Sequence, residues 1–221
     1  MNNLPDVERS YSGELARKAI HLCSLSIPIF YSFASKSTVL TILAPLALVF
    51  GLTDLARLLS PTLRELYHDW FGWLLRAHEK DQQEKRLNGA TYVLLSATLG
   101  ILIFPKVIFI TAFAILIVSD TVAALIGRKF GRHPFMKKSL EGTLAFLVSA
   151  VVVVLLSPKV GYLPAEYAIG IAAALLGAVV ESTSISVDDN LTIPLSIGIA
   201  MWLMYGIFLP AINVFALEAT G

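Results

Sequence analysis

The chain has 221 residues, of which 56% are hydrophobic, with a formal net charge of +1 and one cysteine. Soluble domains average about 45–50% apolar residues, so this composition and a mean hydropathy of +0.74 exclude an ordinary soluble domain. The near-zero charge excludes a global polyanion-binding field, and so a nucleic acid partner; the lone Cys23 excludes an intrachain disulfide and a cysteine-rich metal site, and reads as a small residue packed in a helix.

Residues 1–18 carry charges and residues 19–35 are apolar, as in a secretory signal. The mixed signs at Asp6, Glu8 and Glu14 and the interruption at Pro28 argue against cleavage, so 19–35 is read as the first membrane helix. A bilayer core needs about 20 apolar residues in a helix. Six more candidate spans follow at 38–59, 89–104, 107–127, 142–157, 164–185 and 191–216. Pro105-Lys106 splits one long apolar stretch in two, by removing an amide donor and adding a charge. The apolar runs are continuous rather than alternating, and an open sheet cannot satisfy its edges in lipid. The expected fold is all-α: one integral membrane domain over 1–221 with about seven spans.

Between spans two and three, Leu63, Leu66, Trp70, Trp73 and Leu74 recur at helical spacing, with Arg64, Glu65, Asp69 and Arg76 among them. This predicts an amphipathic helix near 62–80 in the headgroup region, either a surface brace or a gate for a lipid substrate. His68 and His78 there read as interfacial.

The basic residues orient the spans. Arg9, Arg17 and Lys18, then Arg57, Arg64, Arg76, Lys80, Lys85 and Arg86, then Arg128, Lys129, Arg132, Lys137 and Lys138 fall in alternate segments, 14 of the 17 in the chain. Only Lys36, Lys106 and Lys159 fall on the other side. By the positive-inside rule the N-terminus and any polar chemistry are cytoplasmic, in the cell or plasma membrane.

The richest stretch is Asp120-Thr-Val-Ala123-Ala-Leu-Ile-Gly127-Arg128-Lys-Phe-Gly131, followed by Lys137-Lys138-Ser139-Leu-Glu141-Gly142. An acid within an apolar run costs about 2.5–3.5 kcal/mol on insertion scales and marks a functional site by default. Asp120, Ala123 and Gly127 share one helix face, with Asp120 roughly 10 Å deeper than Gly127 at 1.5 Å rise per residue. A hard cation such as Mg²⁺ takes carboxylate and triphosphate oxygens together. Arg128, Lys129, Arg132, Lys137 and Lys138 could neutralise phosphate, and Gly127 and Gly131 could turn backbone amides toward it. The plainer alternative is a positive-inside loop beside a helix–helix hydrogen bond from Asp120.

Asp188-Asp189-Asn190 lies at the junction of spans six and seven. Paired carboxylates repel unless a cation or proton sits between them, which makes Asp188 and Asp189 candidate metal ligands, with Asn190 beside them. Helix capping accounts for one of the three more readily than for all. Glu181 shares the face of Asp188 if the helix continues. At the other terminus Glu14, Arg17, Lys18 and His21 form one stripe, either an interfacial ion pair or a phosphate and substrate contact. Asp54 and Arg57 read as a structural ion pair, and Asn88 and Thr91 as caps or polar pocket groups. No Walker A sequence, kinase glycine loop, nucleophile elbow or His-Glu-x-x-His pair is present, and the last span has no retinal-type lysine.

Asp120-x-x-Ala123-x-x-x-Gly127-x-x-x-Gly131, Lys137-Lys138-Ser139-x-Glu141-Gly142, Glu14-x-x-Arg17-Lys18-x-x-His21, Asn88-Gly89-Ala90-Thr91-Tyr92 and Asp188-Asp189-Asn190-x-Thr192-x-Pro194 together resemble the CTP-dependent lipid kinases: dolichol kinase, phytol kinase and CTP-dependent diacylglycerol kinase. The Gly131-to-Lys137 gap is shorter than in dolichol kinases, and Ser139 stands where Thr is usual; at 221 residues the chain also lacks the extra spans of large dolichol kinases, which favours the compact phytol kinase-like and prokaryotic members. The resemblance implies transfer of the γ-phosphoryl group of CTP to a membrane lipid alcohol. It implies Mg²⁺ held by Asp120, Asp188 and Asp189. Arg17, Lys18, His21, Gly127, Arg128, Gly131, Lys137, Lys138 and Asn190 would line the nucleotide site, with Lys138 stabilising the transferred group and Asp189 or Glu141 taking the hydroxyl proton. The alternatives are a phosphatidate cytidylyltransferase-like CDP-lipid synthase, which carries a related motif, and, more remotely, a lipid or ion transporter. Each reading leaves room for a homo-oligomer.

Overall fold

The computed structural model describes residues 17–71, 87–183 and 187–220. Helices dominate: α1 (Ser26–Phe33), α2 (Lys36–Leu59), α3 (Pro61–Phe71), α4 (Gly89–Ile103), α5 (Lys106–Phe130), α6 (Leu140–Leu156), α7 (Pro164–Thr183) and α8 (Asp189–Phe208), followed by a 3₁₀ turn at Ala216–Thr220. Between α5 and α6 sits one antiparallel hairpin, β1 (Pro134–Phe135) and β2 (Lys138–Ser139). The all-α expectation holds for the apolar segments; the hairpin belongs to the loop joining two of them.

Among the described residues four helices, α2, α5, α7 and α8, are long and apolar enough to cross a membrane. The other three expected spans are helical but short or broken. The 15 residues of α4 span about 22 Å at 1.5 Å per residue, less than the roughly 30 Å of a hydrocarbon core. Helix α6 has 17 residues. The first expected span is interrupted: residues 17–23 are helical, a turn occupies 24–25, and α1 follows. Pro28 has no N–H to offer the Ser24 carbonyl, which accepts instead from Ile27 at 3.0 Å. The last expected span, 191–216, also needs correcting. Its helix ends at Phe208, because Leu209 leaves helical geometry and Pro210 cannot extend the ladder. The expected interfacial helix is present as α3 and exposes Leu63, Leu66 and Trp70; positions 72–80 lie outside the described residues.

Helix α5 is the axis of the bundle. Of its apolar stretch 72% is buried, against 22% for α2, and α1, α4, α6, α7 and α8 all pack on it. Phe109 and Phe113 stack at 5.2 Å, and Tyr31 meets Phe109 edge-on at 5.6 Å. Helix α2 turns Ile42, Leu48, Leu52 and Leu59 outward, as a lipid-facing helix does. Small residues set two close approaches. Gly142 lies so near Ala123 and Gly127 that a Cβ on it would come 3.1 Å from the Ala123 carbonyl oxygen. A Cβ on Gly198 would sit 2.6 Å from the Phe104 ring.

One end of the bundle is sewn by the three lysines that the charge count leaves apart. Lys36 donates to the Leu102 carbonyl at 3.1 Å, Lys106 to that of Ala34 at 3.1 Å, and Lys159 to those of Val154 and Ser157 at 2.6 and 2.8 Å. Each ammonium closes the C-terminal end of a helix, where carbonyls lack partners and the dipole favours a cation. Burial pushes the Lys159 ammonium below its usual range, an effect Glu166 partly offsets. Glu166, itself fully buried, accepts from the Val160, Gly161 and Leu163 amides and the Tyr205 hydroxyl. At this end the lysines and Glu166 are held mainly by backbone groups.

Two glycines of α8 are expected to respond oppositely to alanine. Gly198→Ala crowds the Phe104 ring and should cost about 1–3 kcal/mol, as overpacking does. Gly206→Ala, with no atom within 4 Å of the new Cβ, should gain roughly 0.4–1 kcal/mol from a less flexible unfolded chain. Thermal unfolding of both variants in detergent checks the signs.

Candidate functional site

The opposite end collects charge. Asp120, 9% exposed, lies just past the middle of α5 and receives Lys18 from the segment preceding α1. The Lys18 Nζ donates to Asp120 Oδ2 at 2.6 Å, and both side chains are nearly sealed from solvent. His21, one turn on from Lys18, brings its Nε2 to 3.8 Å from the same oxygen. Packing of α1 on α5 holds this pair in register.

The hairpin delivers a second lysine. The register pairs Pro134 with Ser139 and Phe135 with Lys138, leaving Met136-Lys137 as the turn. Met136 takes φ 52°, the left-handed region that hairpin turns usually fill with glycine. The turn is tied to the end of α7: the Lys137 amide donates to the Ser182 carbonyl at 3.1 Å, and the Ser182 hydroxyl to the Met136 sulfur at 3.1 Å. Anchored so, the hairpin exposes Lys137 and turns Lys138 inward. Lys138 Nζ donates to Glu181 Oε1 at 2.8 Å and to Asp189 Oδ2 at 2.9 Å. Burial alone would depress this ammonium; Asp189 and Glu181 outweigh it and hold Lys138 above its usual range, so it is charged at neutral pH. Asp120 lies within electrostatic reach of Lys138, Glu181 and Asp189. The N-terminal segment, α5, the hairpin, α7 and α8 therefore each contribute charge to one centre.

Other sequence candidates do different work. Asp188 is the N-cap of α8, and its Oδ1 accepts from the Asn190 amide at 2.9 Å and side chain at 2.7 Å. Capping thus occupies Asp188 and Asn190 together and leaves Asp189 to face Lys138. Glu141 takes the His133 ring at 2.7 Å and its amide at 3.3 Å, which braces the loop before the hairpin. Gly127 and Gly131 serve close approach: a Cβ on Gly131 would overlap the Gly127 carbonyl and crowd Ser139, and the Gly131 amide already donates to Gly127 at 3.0 Å. Ser139 caps α6 through the Gly142 amide at 3.2 Å. Arg128 and Lys137 are exposed at this end, and Arg17 is half-buried beside Lys18; Glu14 lies outside the described residues.

The carboxylates suit a hard divalent cation, which binds oxygen ligands. Glu181 is 3% exposed, and its Oε2 is buried without a hydrogen-bond partner. Among the described residues, however, no three His, Cys, Asp or Glu side chains already form a metal-ready group. The Lys138 ammonium stands between Glu181 and Asp189 instead.

The sequence related Glu181 to Asp188 only through one continuous helix; α7 instead ends at Thr183, and Glu181 meets Lys138 opposite Asp189. Sequence reasoning also treated Asp54 and Asn88 separately. The structure joins them: Asp54, fully buried, accepts from the Asn88 amide at 2.7 Å, the Asn88 side chain at 3.0 Å and the Thr91 hydroxyl at 2.7 Å, and pairs with Arg57 at 3.1 Å. Asn88 also reaches the Tyr67 hydroxyl at 2.9 Å, and Arg57 lies over the Tyr67 ring. An acid within an apolar helix was the available signal, the same one that singled out Asp120. This network locks α2, α3 and α4 together.

An uncharacterized protein of Rickettsia prowazekii is 30% identical to this chain over 189 residues, 84% of this chain and 92% of that one. The two belong to one family. Part of the chain is also similar to characterised kinases. Phytol kinase of Synechocystis sp. is 36% identical over 89 residues, 38% of each chain. CTP-dependent diacylglycerol kinase 1 of Schizosaccharomyces pombe is 30% identical over 101 residues, 44% of each chain. The similarity thus spans less than half of either kinase. No known family's sequence model matches, and no solved structure matches.

The Lys18–Asp120 pair makes a direct prediction. Lys18→Met strands a buried carboxylate and should cost about 3–5 kcal/mol of stability, whereas Lys18→Met with Asp120→Asn should recover much of that loss. Unfolding of the two single variants and the double variant measures the coupling; additive losses would show that the pair is not a unit.

Proposed function

We propose that this chain is a lipid kinase that transfers the γ-phosphoryl group of CTP to the hydroxyl of a membrane lipid alcohol, of the polyprenol, phytol, dolichol-like or diacylglycerol class. The observation that carries the reading is the convergence of Lys18, Asp120, Lys138, Glu181 and Asp189 at one end of an apolar bundle. Cations and carboxylates from five segments, buried at Lys18, Asp120 and Glu181 and half-buried at Lys138 and Asp189, exceed what packing requires, and they have the chemistry a metal–triphosphate needs. The partial similarity to phytol kinase and to CTP-dependent diacylglycerol kinase 1 supports the reaction class, and the second supports CTP as donor.

In this reading Asp120 and Asp189 would hold Mg²⁺, with Asp188 fixing the turn that presents Asp189. The ion would neutralise triphosphate charge and orient its oxygens. Lys138 and Lys18 bind phosphate oxygens from inside the bundle, and Arg17, Arg128 and Lys137 from its rim. His21 steadies the Lys18–Asp120 pair. Gly127, Gly131 and Gly142 let the hairpin and the start of α6 lie against the end of α5, which brings Lys138 to within reach of Asp120. Asn190 acts through Asp188. Phosphoryl transfer depends mainly on such positioning and fixed charge.

The lipid approaches sideways from the bilayer, its hydroxyl at the cytoplasmic interface and its tail among the helices. Its oxygen forms a bond to the γ-phosphorus while the bond from that phosphorus to the β,γ-bridging oxygen breaks, and CDP leaves. The hydroxyl proton passes to a carboxylate, Asp189 or Glu141; backbone hydrogen bonds and the His133 ring hold Glu141 well below the usual carboxylate range, which makes it the weaker base of the two.

Purified protein with Mg²⁺ and CTP labelled at either the α or the γ phosphate is tested against polyprenol, phytol, diacylglycerol and phosphatidic acid. γ-Label in an alcohol is expected. α-Label retained in lipid identifies a CDP-lipid synthase instead, and CTP binding without label in any lipid favours a transporter. Asp120→Asn should insert normally and lose about a hundredfold in kcat or more, the scale of removing one fixed electrostatic partner. An Asp120→Asn protein with unchanged turnover contradicts the assignment.

A further inference from the structure

A carboxylate buried in an apolar bundle with one oxygen lacking any hydrogen bond is costly, because its desolvation is only partly repaid. Glu181 is such a group. Its Oε1 accepts from Lys138 at 2.8 Å, its side chain is 4% exposed, and its Oε2 is sealed and unpartnered. No packing need accounts for it: Ala178, one turn earlier on α7, and Ser182 beside it are both small and buried. Across the Lys138 ammonium lies Asp189, at 2.9 Å, and Asp120 is within electrostatic reach of both acids. Two carboxylates thus bracket one cation, and the place between them is filled by a side chain on a tethered hairpin.

We propose that Glu181 and Asp189 form a divalent-cation site in which the Lys138 ammonium is the resident stand-in. This deepens the kinase reading, on which it rests, by adding Glu181 as a cation ligand and giving Lys138 two positions. With no nucleotide, Lys138 bridges Glu181 and Asp189 and offsets one of their two charges. When a divalent cation arrives with its polyphosphate, the ion takes over the carboxylates, including the unpartnered Glu181 oxygen, and the ammonium is released toward phosphate. Like charges cannot share the bracket, so cation and ammonium compete for it. The carboxylate pair is left one charge short of neutral by the ammonium and is neutralised by the divalent cation. The competition makes the bare protein a poor metal binder, so that cation and nucleotide load together.

The competition is measurable without turnover. Wild type, Lys138→Met, Lys138→Gln, and each lysine variant combined with Glu181→Gln are purified in detergent and titrated with Mn²⁺, with no nucleotide or lipid present. Unbound Mn²⁺ is read by electron paramagnetic resonance, and thermal unfolding verifies that each variant is folded. Loss of the ammonium should tighten Mn²⁺ binding about tenfold, within the usual range of coupling between competing ligands. Mg²⁺ should displace the Mn²⁺, and Glu181→Gln should return binding to the wild-type level. Binding by Lys138→Met and Lys138→Gln no tighter than wild type overturns the proposal, as does tightening that Glu181→Gln leaves intact. If the Mn²⁺ pattern appears but wild type transfers no label from CTP, the cation site stands and the kinase reading falls. If transfer occurs without the pattern, the Glu181 assignment alone falls.

Discussion

A charge can be held inside an apolar helix bundle only if an opposite charge is brought to it, and this constraint shapes one whole end of the molecule. Asp120, Glu181 and Asp189 lie on three different helices, and the two lysines that pair with them come from segments outside those helices. Lys18 requires the N-terminal segment to lie along α5. Lys138 requires the loop between α5 and α6 to fold back as a hairpin and dock on α7. The glycines follow from the same demand: without side chains at 127, 131 and 142, the hairpin and the start of α6 can reach the end of α5.

The two ends of the bundle treat charge differently. At one, Lys36, Lys106 and Lys159 satisfy helix carbonyls, and Glu166 is saturated by three amides and a tyrosine. Those charges close the backbone. At the other, charges pair with charges, and one carboxylate oxygen is left without a bond. The Asp54 network lies at that end too, but it is saturated by Asn88, Thr91 and Arg57 and acts as a lock on α2 and α4.

Much of this was legible in the sequence, because lipid imposes simple rules. Continuous apolar runs gave helices with boundaries close to those observed for α2, α5 and α7. The basic residues separated the two ends, and an acid in an apolar run identified Asp120. Short-range geometry was harder. Nothing in the pattern Asp188-Asp189-Asn190 says that the first and third residues will close on each other and leave the second to face Lys138. Nor does hydropathy show that α4 and α6 are short, with 15 and 17 residues, or that Pro210 ends α8 early. The pairing of Lys138 with Glu181 crosses 43 residues and depends on a hairpin whose turn places Met136, not glycine, at positive φ. Long-range charge pairing of this kind leaves no periodic trace.

The central claim is that the charged end is a metal–triphosphate site. Equilibrium binding of labelled CTP to purified wild type and Asp120→Asn, with and without Mg²⁺ and with no lipid present, tests it most directly. The account predicts saturable binding by wild type that requires Mg²⁺ and is lost in Asp120→Asn. Binding that is absent in wild type, or equal in the two proteins and indifferent to Mg²⁺, would contradict it.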